Sequence, residues 1–212
     1  MTDLHVIEDE QTERVRQWWQ ENGKSLLAGV ALGIAIVGGV HFWREWRQGQ
    51  AETASGYYEQ MMIEYVGGKA EAAEILGARL MKDHPKTPYA GKAALYLARV
   101  SFDKGDYASA RQQLRWALDN ATEPATAHVA RLRLARLALA QGAYDEAAGL
   151  LKVADFGGFQ SEYREIEGDA HLAQGRAKAA EDAYRASLES LPKGSAYAEM
   201  LQMKLDHAAG GK

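Results

Sequence analysis

The pattern of apolar and polar positions changes character once along the chain, near residue 48. Leu26 to Trp43 reads LLAGVALGIAIVGGVHFW, 18 residues with no formal charge and one His close to the end. A helix of that length rises roughly 27 Å, close to the hydrocarbon thickness of a bilayer. Trp18 and Trp19 precede it, Phe42 and Trp43 close it and Trp46 follows, where indole and phenyl rings can meet the headgroups. Lys24, Arg44 and Arg47 stand where their stems can snorkel to water. The pattern predicts a tail over residues 1–25, a transmembrane helix over 26–43 and a folded domain over 48–212. A signal peptide would show a short basic start and a small-residue cleavage site. Here the first 25 residues hold six Asp/Glu against three Lys/Arg, and HFWREWR follows the span. A buried core helix would not carry girdles at both ends. Arg14, Arg16 and Lys24 before the span outnumber Arg44 and Arg47 after it, a slight lean towards a cytoplasmic N-terminus. Gly29 and Gly33, with Ala28, Ala31 and Ala35 nearby, form a small-residue face on which another helix could pack closely.

Beyond the span the pattern is helical and repetitive. All four prolines lie at 85, 88, 124 and 192, leaving long intervals free to form helix. Aligning on Gly68, Gly105, Gly142 and Gly175 gives spacings of 37, 37 and 33 residues. Five residues after each stands an alanine, Ala73, Ala110, Ala147 and Ala180. Seven before the last three stands another small residue, Ala98, Ala135 or Gly168, with Met61 at that place in the first copy. Two closely packed antiparallel helices need small side chains where their axes approach and a Gly in the turn between them. Leu114 and Ala117, Leu151 and Ala154, and Tyr184 and Ser187 are expected to fill the second helices. Pro85, Pro124, Gly157-Gly158 and Pro192 are expected to close the units. A period near 34 with this Gly-and-Ala frame resembles the tetratricopeptide repeat. The expected fold is all-α: one transmembrane helix, then a solenoid of about four helical hairpins capped by a C-terminal helix over residues 195–207.

Composition narrows the function. Hydrophobic residues make up 47% and charged residues 25%, ordinary for a folded chain. Five of the 25 basic and seven of the 29 acidic residues precede residue 48, leaving 20 against 22 in the domain. That balance lacks the basic surplus that displaces counterions from a phosphate backbone, so no nucleic-acid partner is expected. The absence of Cys removes disulfides, thiolate metal sites, a Cys nucleophile and a lipid on Cys. The six His lie at 5, 41, 84, 128, 171 and 207, never at the spacing of a helical metal site, so no metal and no cofactor are expected. No nucleophile elbow, phosphate loop or dinucleotide fingerprint occurs. Glu162, Glu165 and Asp169 share a helix face, but such carboxylates are usually a solvated face, and no catalytic residue is assigned.

A helical solenoid offers instead a surface lined by the first helix of each hairpin. The inward register predicts Tyr58, Met62 and Tyr65, then Leu95, Arg99 and Phe102. Leu132, Arg136 and Leu139 follow, then Glu165, Asp169 and Leu172. Apolar and aromatic residues edged by charge suit an extended peptide or a partner helix. Some of these positions could equally pack the core.

The ends of the chain sharpen the assignment. Val15-Arg16-Gln17-Trp18-Trp19 leads into Glu21-Asn22-Gly23-Lys24 directly before the span, and the span ends in an aromatic-and-Arg cluster. The repeats carry Leu97-Ala98-Arg99 and Leu134-Ala135-Arg136, and Glu199 to Leu205 reads EMLQMKL. This combination resembles the bacterial inner-membrane family described as the ancillary subunit of the Sec translocon. The resemblance implies a single-pass protein of the inner membrane with a cytoplasmic N-terminus and periplasmic repeats. It also implies the Sec translocon and a membrane-anchored prolyl-isomerase-type chaperone as partners, and a role in guiding newly translocated chains to periplasmic chaperones. The other expectation is a tetratricopeptide adaptor in a different envelope assembly, such as cytochrome maturation or outer-membrane biogenesis.

Overall fold

With no proline before residue 85, nothing interrupts the first helix, and the computed structural model shows it running as α1 over Asp3–Val66. The structure describes residues 3–210, with side chains from Arg16 onward except at Gln17, Gly23 and Leu26. The side chains of Arg14, Val15, Gln17, Gly23 and Leu26, which the sequence reading used, lie outside the described residues. Among the described residues every regular element is helical. After α1 come α2 (Ala70–Asp83), α3 (Pro88–Asp103), α4 (Tyr107–Asn120), α5 (Pro124–Ala140) and α6 (Tyr144–Leu151). A single 3-10 turn (Gly157–Phe159) then precedes α7 (Gln160–Ala173), α8 (Ala177–Glu189) and α9 (Tyr197–Gly210). The chain divides into two units, residues 1–49 and 50–212.

The first unit contains the apolar span. An 18-residue window there has a mean hydropathy of 1.5 and none of it is buried, so this helix is long and apolar enough to cross a membrane. Asn22 donates its side-chain amide to the Trp18 carbonyl at 3.1 Å, one turn back along the helix. Arg47 lies over the Trp43 ring, 5.2 Å from its centroid.

The second unit is a series of hairpins, each turned by a glycine. Gly68, Gly105, Gly142 and Gly175 have φ of 77°, 79°, 72° and 73°, the left-handed region that a Cβ disfavours. At each turn the amide three residues past the helix reaches back five residues: Lys69 to Glu64, Asp106 to Ser101, Ala143 to Ala138 and Arg176 to His171, all at 2.9 Å. This closure satisfies carbonyls left free by the ending helix. Ala73, Ala110, Ala147 and Ala180 are wholly buried where the paired helices meet. Gly168 marks the tightest approach: a Cβ there would lie 2.5 Å from Cε1 of Tyr184, whose ring is itself fully buried on α8. Pro88 and Pro124 each open a helix, where a missing N–H costs nothing.

The apolar stripes of successive hairpins form a run of buried clusters. Ala54, Met61, Ala73, Leu80 and Ala93 pack the first pair onto α3. Ala98, Leu114, Leu134 and Leu137 continue it, and Leu132, Ala135, Tyr163 and Ile166 carry it from α5 to α7. Full burial of one such Leu contributes about 1.5–3 kcal/mol. The cap is α9 (Tyr197–Gly210), starting two residues later and ending three later than expected. Its Ala208 and Leu205 pack against Ala180 and Tyr184 of α8.

One element departs from the repeat. The second helix of the third hairpin, α6, ends at Leu151, so Ala154 is an exposed loop residue and not a helix-filling one. The loop carries the packing itself. Asp155 Oδ1 accepts the Gly157 amide at 2.8 Å, fixing the turn, and Val153, Phe156 and Phe159 fold back onto the Leu132–Tyr163–Ile166 cluster. Phe156 meets Tyr163 edge-on at 5.3 Å, and His128 stacks on Phe159 at 5.2 Å while its Nδ1 bonds the Tyr163 hydroxyl at 2.9 Å. Aromatic area replaces the missing turn of helix.

Candidate protein-binding groove

The surface left by the first helices divides into three zones of different chemistry. The first, along α1 and α3, is aromatic. Tyr58 faces Tyr89 with ring centroids 5.7 Å apart, and Tyr65 meets Tyr96 edge-on at 4.7 Å. Tyr58 and Met62 pack partly onto the core, leaving part of each side chain exposed. The Tyr96 hydroxyl is buried without a partner among the described residues, and burial pushes its pKa up.

The middle zone is a cavity of about 270 Å³ between α3, α4 and α5. Arg99 and Phe102 come from α3, Ala110 and Leu114 from α4, and Arg133, Arg136, Leu137 and Ala140 from α5. Its floor reaches the core through Ala98, Leu114 and Leu137, while Phe102 stands 45% exposed at its edge. Three guanidinium groups line this cavity. Arg99 Nε bonds both carboxylate oxygens of Asp103, at 2.8 and 2.9 Å. That bond and the Asp103 charge raise the Arg99 pKa. Arg136 Nη2 bonds Glu165 at 2.9 Å. Arg133 donates only to the neutral Leu95 carbonyl, at 3.1 Å, and no carboxylate pairs with it among the described residues. Partial desolvation, then the charges of Arg99 and Arg136, push its pKa down.

The third zone, on α7, is acidic but internally satisfied. Glu165, only 4% exposed in its side chain, accepts from Lys204 at 2.6 Å, Tyr197 at 2.6 Å and Arg136 at 2.9 Å. Asp169 accepts from Lys204 at 2.8 Å and from the Tyr184 hydroxyl at 2.8 Å. Burial alone would raise the Glu165 carboxyl, but the bonds from Lys204 and Tyr197 outweigh it and hold the group below the usual carboxylate range. Burial would likewise lower Lys204, and its bonds to Asp169 and Glu165 instead hold it above the usual lysine value. Both tyrosines are raised by burial and by their carboxylate partners. The capping helix therefore occupies this end of the surface with its own cation.

The structure brings together Arg99, Phe102 and Arg136 and leaves other expected residues elsewhere. Leu132 is 3% exposed and belongs to the core between α5 and α7. Leu139 packs partly onto the same cluster, and Leu95 packs onto the Ala98–Leu114–Leu134–Leu137 cluster shared by α3, α4 and α5. Asp169 serves the cap. On α5 the residues lining the cavity are Arg133, Arg136, Leu137 and Ala140, which share only Arg136 with the expected Leu132, Arg136 and Leu139. Arg133 was the residue missed, although its spacing of three from Arg136 places both on one face. A helix packed on both sides has two apolar stripes, and periodicity does not say which one meets a neighbour. In the span, a Cβ added at Gly29 or Gly33 would meet nothing within 4 Å, so that face is open.

A family model described as tetratricopeptide repeat-like domain matches residues 16–210, nearly the whole chain. The chain belongs to that family. It is also 29% identical over 205 residues to a protein of Escherichia coli (strain K12) named ancillary SecYEG translocon subunit, covering 97% of this chain and 98% of that one. Proteins of the same name are similar from Haemophilus influenzae, at 28% identity covering 95% and 98%, and from Neisseria gonorrhoeae, at 28% covering 95% and 97%. The match begins ahead of the apolar span and runs through the cap, so span and repeats are shared as a unit.

Proposed function

We propose that this chain is a non-enzymatic protein-binding subunit attached to the Sec translocon, helping newly translocated proteins reach periplasmic chaperones. The observation that carries the proposal is the similarity over nearly the full length to relatives named as translocon subunits, span included. In this arrangement residues 1–25 lie in the cytoplasm, 26–43 cross the inner membrane and 48–212 stand in the periplasm. A membrane-anchored prolyl-isomerase-type chaperone is the proposed second partner. The Gly29/Gly33 face is the proposed site where a neighbouring transmembrane helix packs. The groove supports the protein-binding role: exposed Phe102 beside three Arg side chains is the aromatic-plus-arginine composition enriched where proteins meet. Tethering would raise the effective concentration of chains emerging nearby, so weak contacts suffice.

The test combines topology with contact. An alkaline phosphatase fused at the C-terminus is expected to be active; an inactive fusion overturns the orientation. Photo-crosslinkers placed at Phe102, Arg136 and Leu139 in intact membranes are expected to capture a translocon subunit, a chaperone or a translocating chain. Capture only from second-helix positions such as Arg115, or only from the span, moves binding away from the groove. Purification in mild detergent without any translocon component rejects the assignment to that machine.

A further inference from the structure

We infer that the cavity between α3, α4 and α5 binds a protein segment through one side-chain carboxylate and a neighbouring large apolar side chain. This rests on the groove being a binding face and specifies what that face selects. The charge pattern supplies the first argument. Of the three guanidinium groups at the cavity, Asp103 neutralises Arg99 and Glu165 neutralises Arg136, while Arg133 meets only a carbonyl. Arg133 is thus the guanidinium at the apolar floor with no carboxylate partner among the described residues, and a planar carboxylate would meet it with two parallel hydrogen bonds. The acidic groups nearby are already committed: Asp103 to Arg99, Glu165 to Arg136, Tyr197 and Lys204, and Asp169 to Lys204 and Tyr184.

Size and lining supply the second. About 270 Å³ lies below the roughly 300–1,000 Å³ usual for small-molecule and cofactor sites. It suits one large side chain. Ala98, Leu114, Leu137 and Ala140 offer no hydrogen-bonding side chain, so an apolar group enters without leaving a polar one unmatched. Phe102 forms a wall against which an aromatic or branched side chain can pack. A phosphate group would use the Arg133 charge but leave this floor unfilled, which disfavours nucleic acid or a free phosphate as the occupant.

The test uses the full-length chain in lipid nanodiscs and three fluorescein-labelled 12-residue peptides with blocked termini. Their central pairs are Glu-Phe, Gln-Phe and Glu-Ser, and anisotropy reports binding. The Glu-Phe peptide is expected to bind roughly tenfold tighter than either of the others. Arg133→Gln should bring Glu-Phe down to the Gln-Phe level without changing Gln-Phe itself, and Arg133→Lys should restore part of the difference. Should Arg133→Gln misfold, the peptide comparison on the wild type and the Arg133→Lys variant still decides. Equal binding of all three peptides, each weakened by Phe102→Ser, leaves the groove as a binding face but overturns the charge selection. Displacement of Glu-Phe by inorganic phosphate at concentrations matching ordinary chloride competition supports the proposal; displacement at far lower phosphate overturns it. Failure of every peptide to bind, together with crosslinks to partners from Phe102, overturns the inference alone. Failure of both overturns the groove as well.

Discussion

Gly168→Ala isolates the close contact that sets the geometry of the last hairpin. Two effects oppose each other. Alanine is favoured over glycine inside a helix by about 1 kcal/mol. Against that, the new methyl would lie 2.5, 2.6 and 2.9 Å from Cε1, Cδ1 and Cζ of Tyr184. The ring cannot swing away, because it is fully buried and its hydroxyl is bonded to Asp169 at 2.8 Å. Relief requires α7 and α8 to separate, an overpacking cost of about 1–3 kcal/mol, here towards the upper end. The net expectation is a loss of about 1–2 kcal/mol, or roughly 3–6 °C in melting temperature for a domain of this size. Gly56→Ala is the matched control, since a Cβ there meets nothing within 4 Å. It should gain about 0.5–1 kcal/mol from the same change in propensity. Thermal unfolding of the full-length chain in detergent, followed by near-ultraviolet circular dichroism, measures both. A Gly168→Ala variant that melts with or above the wild type would refute the steric reasoning, whatever Gly56→Ala does.

Three further outcomes can be checked on the same preparation. Ala110→Leu or Ala147→Leu should each cost about 1–3 kcal/mol, because both alanines are wholly buried between paired helices; unchanged urea midpoints would place the helix contacts elsewhere. Gly142→Ala should cost about 1–2 kcal/mol by placing a Cβ at φ 72°, seen as a lower melting temperature with no change in secondary-structure content. Glu165→Gln should lose about 1–3 kcal/mol by weakening its bonds with Lys204, Tyr197 and Arg136, and should speed amide exchange in α9. Because the folded carboxyl of Glu165 titrates below its unfolded value, its contribution is full above the ordinary carboxylate pKa and fades as pH falls through the folded one. Lys204 has the opposite sign: raised in the fold, its contribution is full below the ordinary lysine pKa and fades as pH rises through the folded one. Protection of α9 amides should therefore fall at both extremes in the wild type, and Glu165→Gln should remove the acid limb arising at that residue.

What the sequence determined is what neighbouring residues decide among themselves. Four glycines in step, each followed by alanine at the fifth position, specified the turns and the buried contacts, because a left-handed φ and a close helix approach are local demands. The uncharged stretch from Leu26 to Trp43 was legible for the same reason: composition and length alone make its helix long and apolar enough to cross a membrane. Tertiary structure decided everything that depends on which stripe meets which partner. Leu132 and Arg133 are adjacent in sequence and point to the core and to the cavity respectively, and only the docking of α5 against α7 assigns them. The early end of α6 was hidden because the aromatic loop that replaces its last turn packs onto residues from α5 and α7. Glu165 and Asp169 look like a free acidic face until Lys204, 39 and 35 residues away, arrives on the capping helix. Ion pairs over such separations are set by how helices stack, and the periodicity of a single helix carries no record of it.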